Sequence, residues 1–131
     1  MYLFDTDILV GLLREDSQAS HKLKDLLERQ TELHTSSVNL HELIKGAYLS
    51  KHPEKNMSRV IRLIQSFSLL GFDEEAALIS GKLSADKEMK GKMIEQNDIF
   101  IAALALTHNL TLITRNKKHF ESIEGLQIEV W

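Results

Sequence analysis

At 131 residues the chain is long enough to close a hydrophobic core of its own and short for two, so a single domain over 1–131 is expected. An apolar share of 43% with 27% charged residues excludes a disordered or fibrous chain, and the absence of cysteine excludes disulfide scaffolds, thiolate metal sites and a thiol nucleophile. The net charge of −3 excludes a globally basic nucleic-acid coat; a polyanion would have to meet a local patch.

Tyr2-Leu3-Phe4 is a short apolar run that hands over to Asp5-Thr6-Asp7, which predicts a buried first strand ending near Asp5. Ile8 to Leu13 predicts a short helix. Ala19, Leu23, Leu26, Leu27 and Gln30 then recur at helical spacing, and both helices are expected on one sheet face. Leu33 to Val38 is β-compatible and offers Ser36 and Ser37 as N-caps for a helix with the stripe Leu40, Leu43, Ile44, Ala47. After the break at Lys51-His52-Pro53-Glu54 the helical spacing resumes through Met57, Val60, Ile61, Ile64 and Phe67.

Leu69 to Phe72 predicts a short strand and Glu74 to about Lys90 a long polar helix, interrupted by Gly91. Asp98 is expected to open an apolar helix that turns Ile99, Ala102, Ala103 and Leu106 to one side and ends at Asn109. Thr111 to Thr114 reads as a buried strand, Lys117 to Glu121 as one helical turn, Gly125 as a turn and Gln127 to Val130 as an edge strand. The alternation predicts a three-layer α/β/α fold around a mostly parallel sheet of four to five strands. No basic leader precedes Tyr2, and the longest apolar run, Ile99 to Leu106, is far short of a bilayer span; a cytoplasmic protein with no membrane partner is expected.

In an open α/β sheet, ligands gather at the carboxyl ends of strands. Asp5 and Asp7 follow the first strand, although either also suits the start of a helix, as a cap or as a first-turn acid. Glu42 lies off the apolar stripe of its helix and reads alone as a solvated acid, while Asp98 reads alone as an N-cap. The informative point is joint. Element starts carrying Asp5, Glu42 and Asp98 meet at one sheet edge, where carboxylates repel unless a cation compensates them. Hard divalent ions take such ligands and suit phosphodiester hydrolysis.

Four segments then resemble a known family. They are Tyr2-Leu3-Phe4-Asp5-Thr6-Asp7-Ile8-Leu9, Ser37-Val38-Asn39-Leu40-His41-Glu42-Leu43, Gln96-Asn97-Asp98-Ile99-Phe100-Ile101-Ala102-Ala103 and Leu112-Ile113-Thr114-Arg115-Asn116. In this order and spacing they resemble PIN domains, in particular the VapC-type toxins of toxin–antitoxin pairs, over essentially the whole chain. The resemblance implies a ribonuclease in which Asp5, Glu42 and Asp98 hold Mg²⁺ or Mn²⁺, with Thr6 or Thr114 as hydroxyl neighbours. It also implies an RNA substrate, a homodimer and a small antitoxin that brings a cationic residue to the acids, with the helices around Leu40–Tyr48 and Met57–Phe67 as surfaces for that partner. Where the family often has a fourth acid, this chain has Asn116 and His119; Asn116 offers one neutral oxygen and Asp7 a compensating carboxylate.

Among the cations near this edge, Arg115 and Lys117 are expected on RNA phosphate, with Lys118, Lys87, Lys90 and Lys92 close by. The six histidines form no spaced ligand set; only His41, next to Glu42, is adjacent to the site, and it is expected to point away along its helix in a structural or surface role. Phe4-Asp5-Thr6-Asp7 also resembles the Asp-x-Asp of haloacid-dehalogenase-like phosphatases, where Asp5 would be a nucleophile, but the later paired acids of that class are missing. A PIN-like module that binds RNA with weakened catalysis is the third reading.

Overall fold

The computed structural model describes residues 1–131. Its strands are β1 (Tyr2–Phe4), β2 (Leu33–Ser36), β3 (Ser68–Leu70), β4 (Thr111–Thr114) and β5 (Ile128–Val130), and its helices α1 (Thr6–Leu13), α2 (Ser17–Glu28), α3 (Ser37–Tyr48), α4 (Pro53–Ile64), α5 (Glu74–Met89), α6 (Gln96–Thr107) and α7 (Lys117–Phe120). The element order is the predicted one. The five strands form one sheet in the order β3-β2-β1-β4-β5, parallel at every pairing. The chain builds outward from β1 through β2 to β3, then returns to the other side for β4 and β5. Right-handed crossovers therefore fall on opposite faces, and the crevice opens where the direction reverses, at the carboxyl ends of β1 and β4.

Side chains alternate across the sheet and fill two cores. Leu3 and Leu112 face a core built with Ala76, Ile101, Leu104 and Phe120. Phe4 and Ile113 face another built with Ile8, Leu9, Leu43, Val60 and Phe67, against which Leu23 and Leu26 of α2 also pack. As expected, α1 and α2 share a face. No helix is long and apolar enough to cross a membrane.

The structure corrects several boundaries. α1 starts two residues before Ile8, with Asp5 as its N-cap. α2 stops at Glu28, Gln30 takes a left-handed φ of 55°, and Leu27 is exposed, so the apolar spacing ran past the helix end. β2 ends at Ser36 because that residue caps α3: its hydroxyl accepts from the Asn39 backbone N–H at 3.1 Å and donates to Asn39 Oδ1 at 2.6 Å. Ser37 is already helical. Ile61 faces solvent, and Phe72 lies beyond β3 with its ring 4.5 Å from that of Phe100. In α6 the buried set is Ile99 with Ile101 to Ala105 while Leu106 is only half-buried, because the helix is covered by both α5 and α3 rather than on one side. Asn109, at φ 51°, ends it as expected.

Ser36→Ala removes both the cap and the group that holds Asn39. A loss of about 1–2 kcal/mol in urea unfolding is the expected outcome; a loss within about 0.3 kcal/mol, the spread of additive surface changes, would contradict the capping role.

Candidate active site

The crevice at the switch point is a cleft of about 720 Å³ bordered by Asp5, Thr6, Asp7, Glu42, Glu95, Asp98 and, on its cationic side, Arg14, Arg115 and His119. Asn116 also borders it. Each arrives there for a local reason. β1 delivers Asp5 at its last step into α1, where Asp5 Oδ1 accepts from the Thr6 N–H at 2.8 Å; the residue is 6% exposed. β4 delivers Thr114, whose hydroxyl lies 2.8 Å from Asp5 Oδ2 and 3.3 Å from Asp7 Oδ2. A hydroxyl has one proton to give, so the nearer Asp5 takes it and Asp7 keeps only the Arg115 backbone N–H at 2.8 Å on the same oxygen. Asp7 Oδ1 is buried without a partner.

Glu42 lies in the second turn of α3. Thr6 donates its hydroxyl to Glu42 Oε1 at 2.9 Å while accepting from the Asn39 amide at 3.0 Å, so the Ser36 cap, Asn39, Thr6 and Glu42 form one hydrogen-bonded row. Asn39 Nδ2 is also 3.5 Å from Asp5 Oδ1. Asp98 sits in the first turn of α6, but the N-cap position belongs to Glu95, so the reading of Asp98 as a cap is corrected. With no backbone amide to satisfy, Asp98 turns to His119, whose Nδ1 is 3.1 Å from its Oδ2.

The electrostatics record the crowding. Burial first, then the charge of Asp7 and more weakly that of Asp98, push the Asp5 carboxyl from 3.8 up to about 7 against the pull of Thr114 and the Thr6 N–H. Burial also raises Asp98, with His119 opposing and the charges of Glu95 and Glu42 adding. Three acids distant in sequence therefore feel one another across one cleft.

A divalent cation fits this donor set. The oxygens are hard, one is orphaned and buried, and burial, with neighbouring negative charge adding to it, holds the carboxyls of Asp5 and Asp98 above their ordinary range. No three of the acids and histidines close around a single point as they stand. An ion seated here would have to take part of its coordination from water.

The structure also reassigns cations. Arg115 does not stand free on the rim: its Nη2 lies 3.0 Å from Asp16 Oδ2, and its guanidinium crosses Gly11, where a Cβ would come within 2.8 Å of Nη2. A side chain at position 11 would only push the flexible end of Arg115 aside. The Ala19 N–H and then Arg115 hold Asp16 below its usual carboxylate range. Lys117 is exposed but does not border the cleft, and Lys87 is buried with its ammonium on the Ser122 carbonyl. His41 is exposed, in line with the surface role expected of it, but it is not the only histidine near the acids: His119 touches Asp98. Its one signal in sequence was its place in the segment where a fourth acid was sought. Asn39, Asp16 and Glu95 went unnoticed because each reads locally as a helix-start residue.

Comparison with known proteins adds an independent line. A family model described as PIN domain matches residues 2–126. A Rickettsia felis protein named Ribonuclease VapC2 is 31% identical over 131 residues, covering 100% of this chain and 98% of that protein. A Shigella flexneri protein named tRNA(fMet)-specific endonuclease VapC is 29% identical over 99% of this chain and 97% of its own length. Among solved structures, VapBC2 from Rickettsia felis bound to a DNA fragment from its promoter superposes with a TM-score of 0.93 at 30% identity, over 99% of this chain and 98% of that one.

Proposed function

Because the chain belongs to the PIN-domain family, we propose that it is a metal-dependent endoribonuclease that hydrolyses RNA phosphodiester bonds as the toxin of a toxin–antitoxin pair. The observation that carries the reading is the crowding of carboxylates at the switch point, with the buried Asp5 raised to about 7 and Asp7 Oδ1 orphaned beside it. Asp5, Glu42 and Asp98 would hold Mg²⁺ or Mn²⁺, with Asp7 and Asn116 as supporting oxygens. When bound, such an ion supplies an acidified water for in-line attack and screens the charge that develops on the phosphate.

The chain's own groups prepare for that chemistry. Thr114 fixes Asp5 by its hydroxyl, Thr6 fixes Glu42, and Asn39 fixes Thr6, so the carboxylates are oriented before any ligand arrives. Hydrolysis by water needs no covalent intermediate, and family membership leaves the phosphatase reading with Asp5 as nucleophile without support. Arg115 is proposed to meet RNA phosphate at the rim by exchanging its Asp16 partner, and Lys117, exposed outside the cleft, to meet a phosphate beyond it.

A small antitoxin and a second copy of the chain are the proposed protein partners. A hollow that shares Val10, Arg14 and Glu42 with the acidic cleft is proposed as the antitoxin's seat; the half-buried Val10 and Leu13 and the nearly covered Leu43, Ala47 and Val60 line it with the polar Ser50, Asn56 and Arg59. Of the two helices expected to receive it, Tyr48 and Ile61 stay exposed while Leu43, Ala47, Val60 and Phe67 are core. A cytoplasmic location follows from the proposed action on cellular RNA.

The test is cleavage of labelled RNA by the purified chain in millimolar Mg²⁺. Activity is expected to vanish in EDTA and to fall at least about 100-fold in Glu42→Gln and Asp98→Asn with their circular dichroism unchanged. RNA bound but left intact under all conditions would select the weakened binding module instead.

A further inference from the structure

The cations around the acidic cleft are unevenly free. Arg115 is paired with Asp16, Arg59 donates to the Leu13 carbonyl, and Lys87 is spent on the Ser122 carbonyl. Lys90, Lys92, Lys117 and Lys118, by contrast, enter no ion pair, and neither does Arg14 at the cleft itself. Lys92 and Lys118 line one hollow of about 470 Å³, and three of its other walls, Glu95, Asp98 and His119, are also walls of the acidic cleft. The two depressions are therefore continuous across the Asp98–His119 contact.

The fold brings these lysines together from distant segments. Gly91, at φ 65°, turns the chain after α5, and the Lys92 N–H closes that turn on the Lys87 carbonyl. Lys87 in turn is anchored to Ser122, just beyond α7, which carries Lys118. Lys92 and Lys118 offer two unpaired cations to a polyanion's phosphates, while Glu95, Asp98 and Glu121 line the same hollow. Glu121 is the one carboxylate in the hollow that does not also border the cleft. Met93, 97% exposed, and the half-buried Ile94 give the hollow an apolar wall. Unstacked bases can cover such a wall, whereas a duplex keeps its bases paired and inward.

Resting on the ribonuclease reading above, we propose that a single-stranded stretch of RNA runs from the acidic cleft over His119 into this hollow, with its phosphates against Lys92 and Lys118. This assigns the strand's path to the α7 side of the acids and makes these two lysines substrate-binding residues.

The experiment is fluorescence anisotropy with a labelled, mixed-sequence single-stranded RNA of roughly 12 nucleotides, in Mg²⁺ and in the Asp5→Asn background so that the strand is not cut. Adding Lys92→Ala and Lys118→Ala together is expected to weaken binding about 5- to 10-fold at low salt and to flatten the slope of log affinity against log salt by about 1.4, near 0.7 per lost phosphate contact. The charge-matched pair Lys51→Ala and Lys55→Ala, whose residues border neither depression, is expected to leave the slope unchanged. An unchanged slope in the first pair, an equal loss in the control pair, or equal lysine dependence for a duplex of the same sequence overturns the proposal. If the wild-type chain cleaves RNA while the lysine pair proves neutral, only this path falls. If the wild type neither cleaves nor binds RNA, the ribonuclease reading falls and takes the path with it.

Discussion

Asp5→Asn is expected to give a chain that is more stable than wild type at about pH 8 in the absence of divalent ions, and that no longer cleaves RNA. The two effects share one cause. Asp5 is buried, and Asp7 and Asp98 place like charge around it, so its carboxyl is raised from 3.8 to about 7. For an acid raised on folding, the folded state binds the proton more tightly than the unfolded chain. The stabilising contribution is then fully present below about pH 4 and is lost as pH rises through about 7. At about 1.4 kcal/mol per pH unit, ionised Asp5 costs the fold on the order of 4 kcal/mol relative to its protonated form. Asp98 is raised too, and its loss runs in the same direction.

An asparagine at position 5 retains an oxygen for the Thr6 N–H and places an amide toward the Thr114 oxygen and the Asp7 carboxylate, so hydrogen bonds are kept while the charge goes. Urea unfolding at about pH 5 and pH 8 is the measurement. Wild type is expected to lose stability between the two, the variant to lose less, and Mg²⁺ or Mn²⁺ to restore wild type alone by binding the folded state. Cleavage should fall by about 10³-fold or more, the scale of losing a charged group that acts on the transition state. A wild-type stability that is flat across this range would remove the electrostatic account of the site.

Phe4→Ala is expected to be the most damaging single truncation. Phe4 is fully buried in the middle strand of the sheet, with its ring 5.1 Å from Phe67 and 5.2 Å from Trp131, both edge-on. These contacts tie β1, on one face, to the segment before β3 and to the residue after β5, the strands at the two edges of the sheet. Removing the ring should cost about 3–5 kcal/mol, out of the 5–15 kcal/mol typical of a whole domain. Trp131 is the only tryptophan and touches the mutated ring, so its fluorescence reports the transition directly. Phe4→Leu keeps most of the volume and should cost less than about 1.5 kcal/mol, which keeps the comparison measurable if the alanine variant fails to fold. Equal losses in the two would argue against ring packing as the source.

The position of Phe4 also bears on function, since the residue that follows it is Asp5. A strand held rigidly at this point fixes the carboxylate that the site turns on. Asp5 accepts a backbone bond on one oxygen and the Thr114 hydroxyl on the other, and neither partner is free to move while β1 and β4 stay paired. Loosening Phe4 is therefore expected to depress cleavage even in molecules that remain folded.

The order of strands and helices, the parallel sheet and the acids at element starts were all legible in the chain, because they rest on signals that act within a few residues. Apolar side chains recur every third or fourth position or in short runs, and Asp5, Ser36 and Asn109 mark helix ends by bonding their immediate neighbours or by tolerating a left-handed backbone. Helix ends slipped where periodicity outran the helix, as at Leu27 and Gln30, or where a cap lay upstream of the first apolar residue, as at Glu95 before Asp98. Which side chains complete the acids was decided elsewhere. Thr114 meets Asp5 across 109 positions, Arg115 meets Asp16 over Gly11, and His119 meets Asp98. Those contacts depend on β4 settling beside β1 and α7 beside α6, which is settled by how two cores close on opposite faces of one sheet and leaves no periodic trace along the chain.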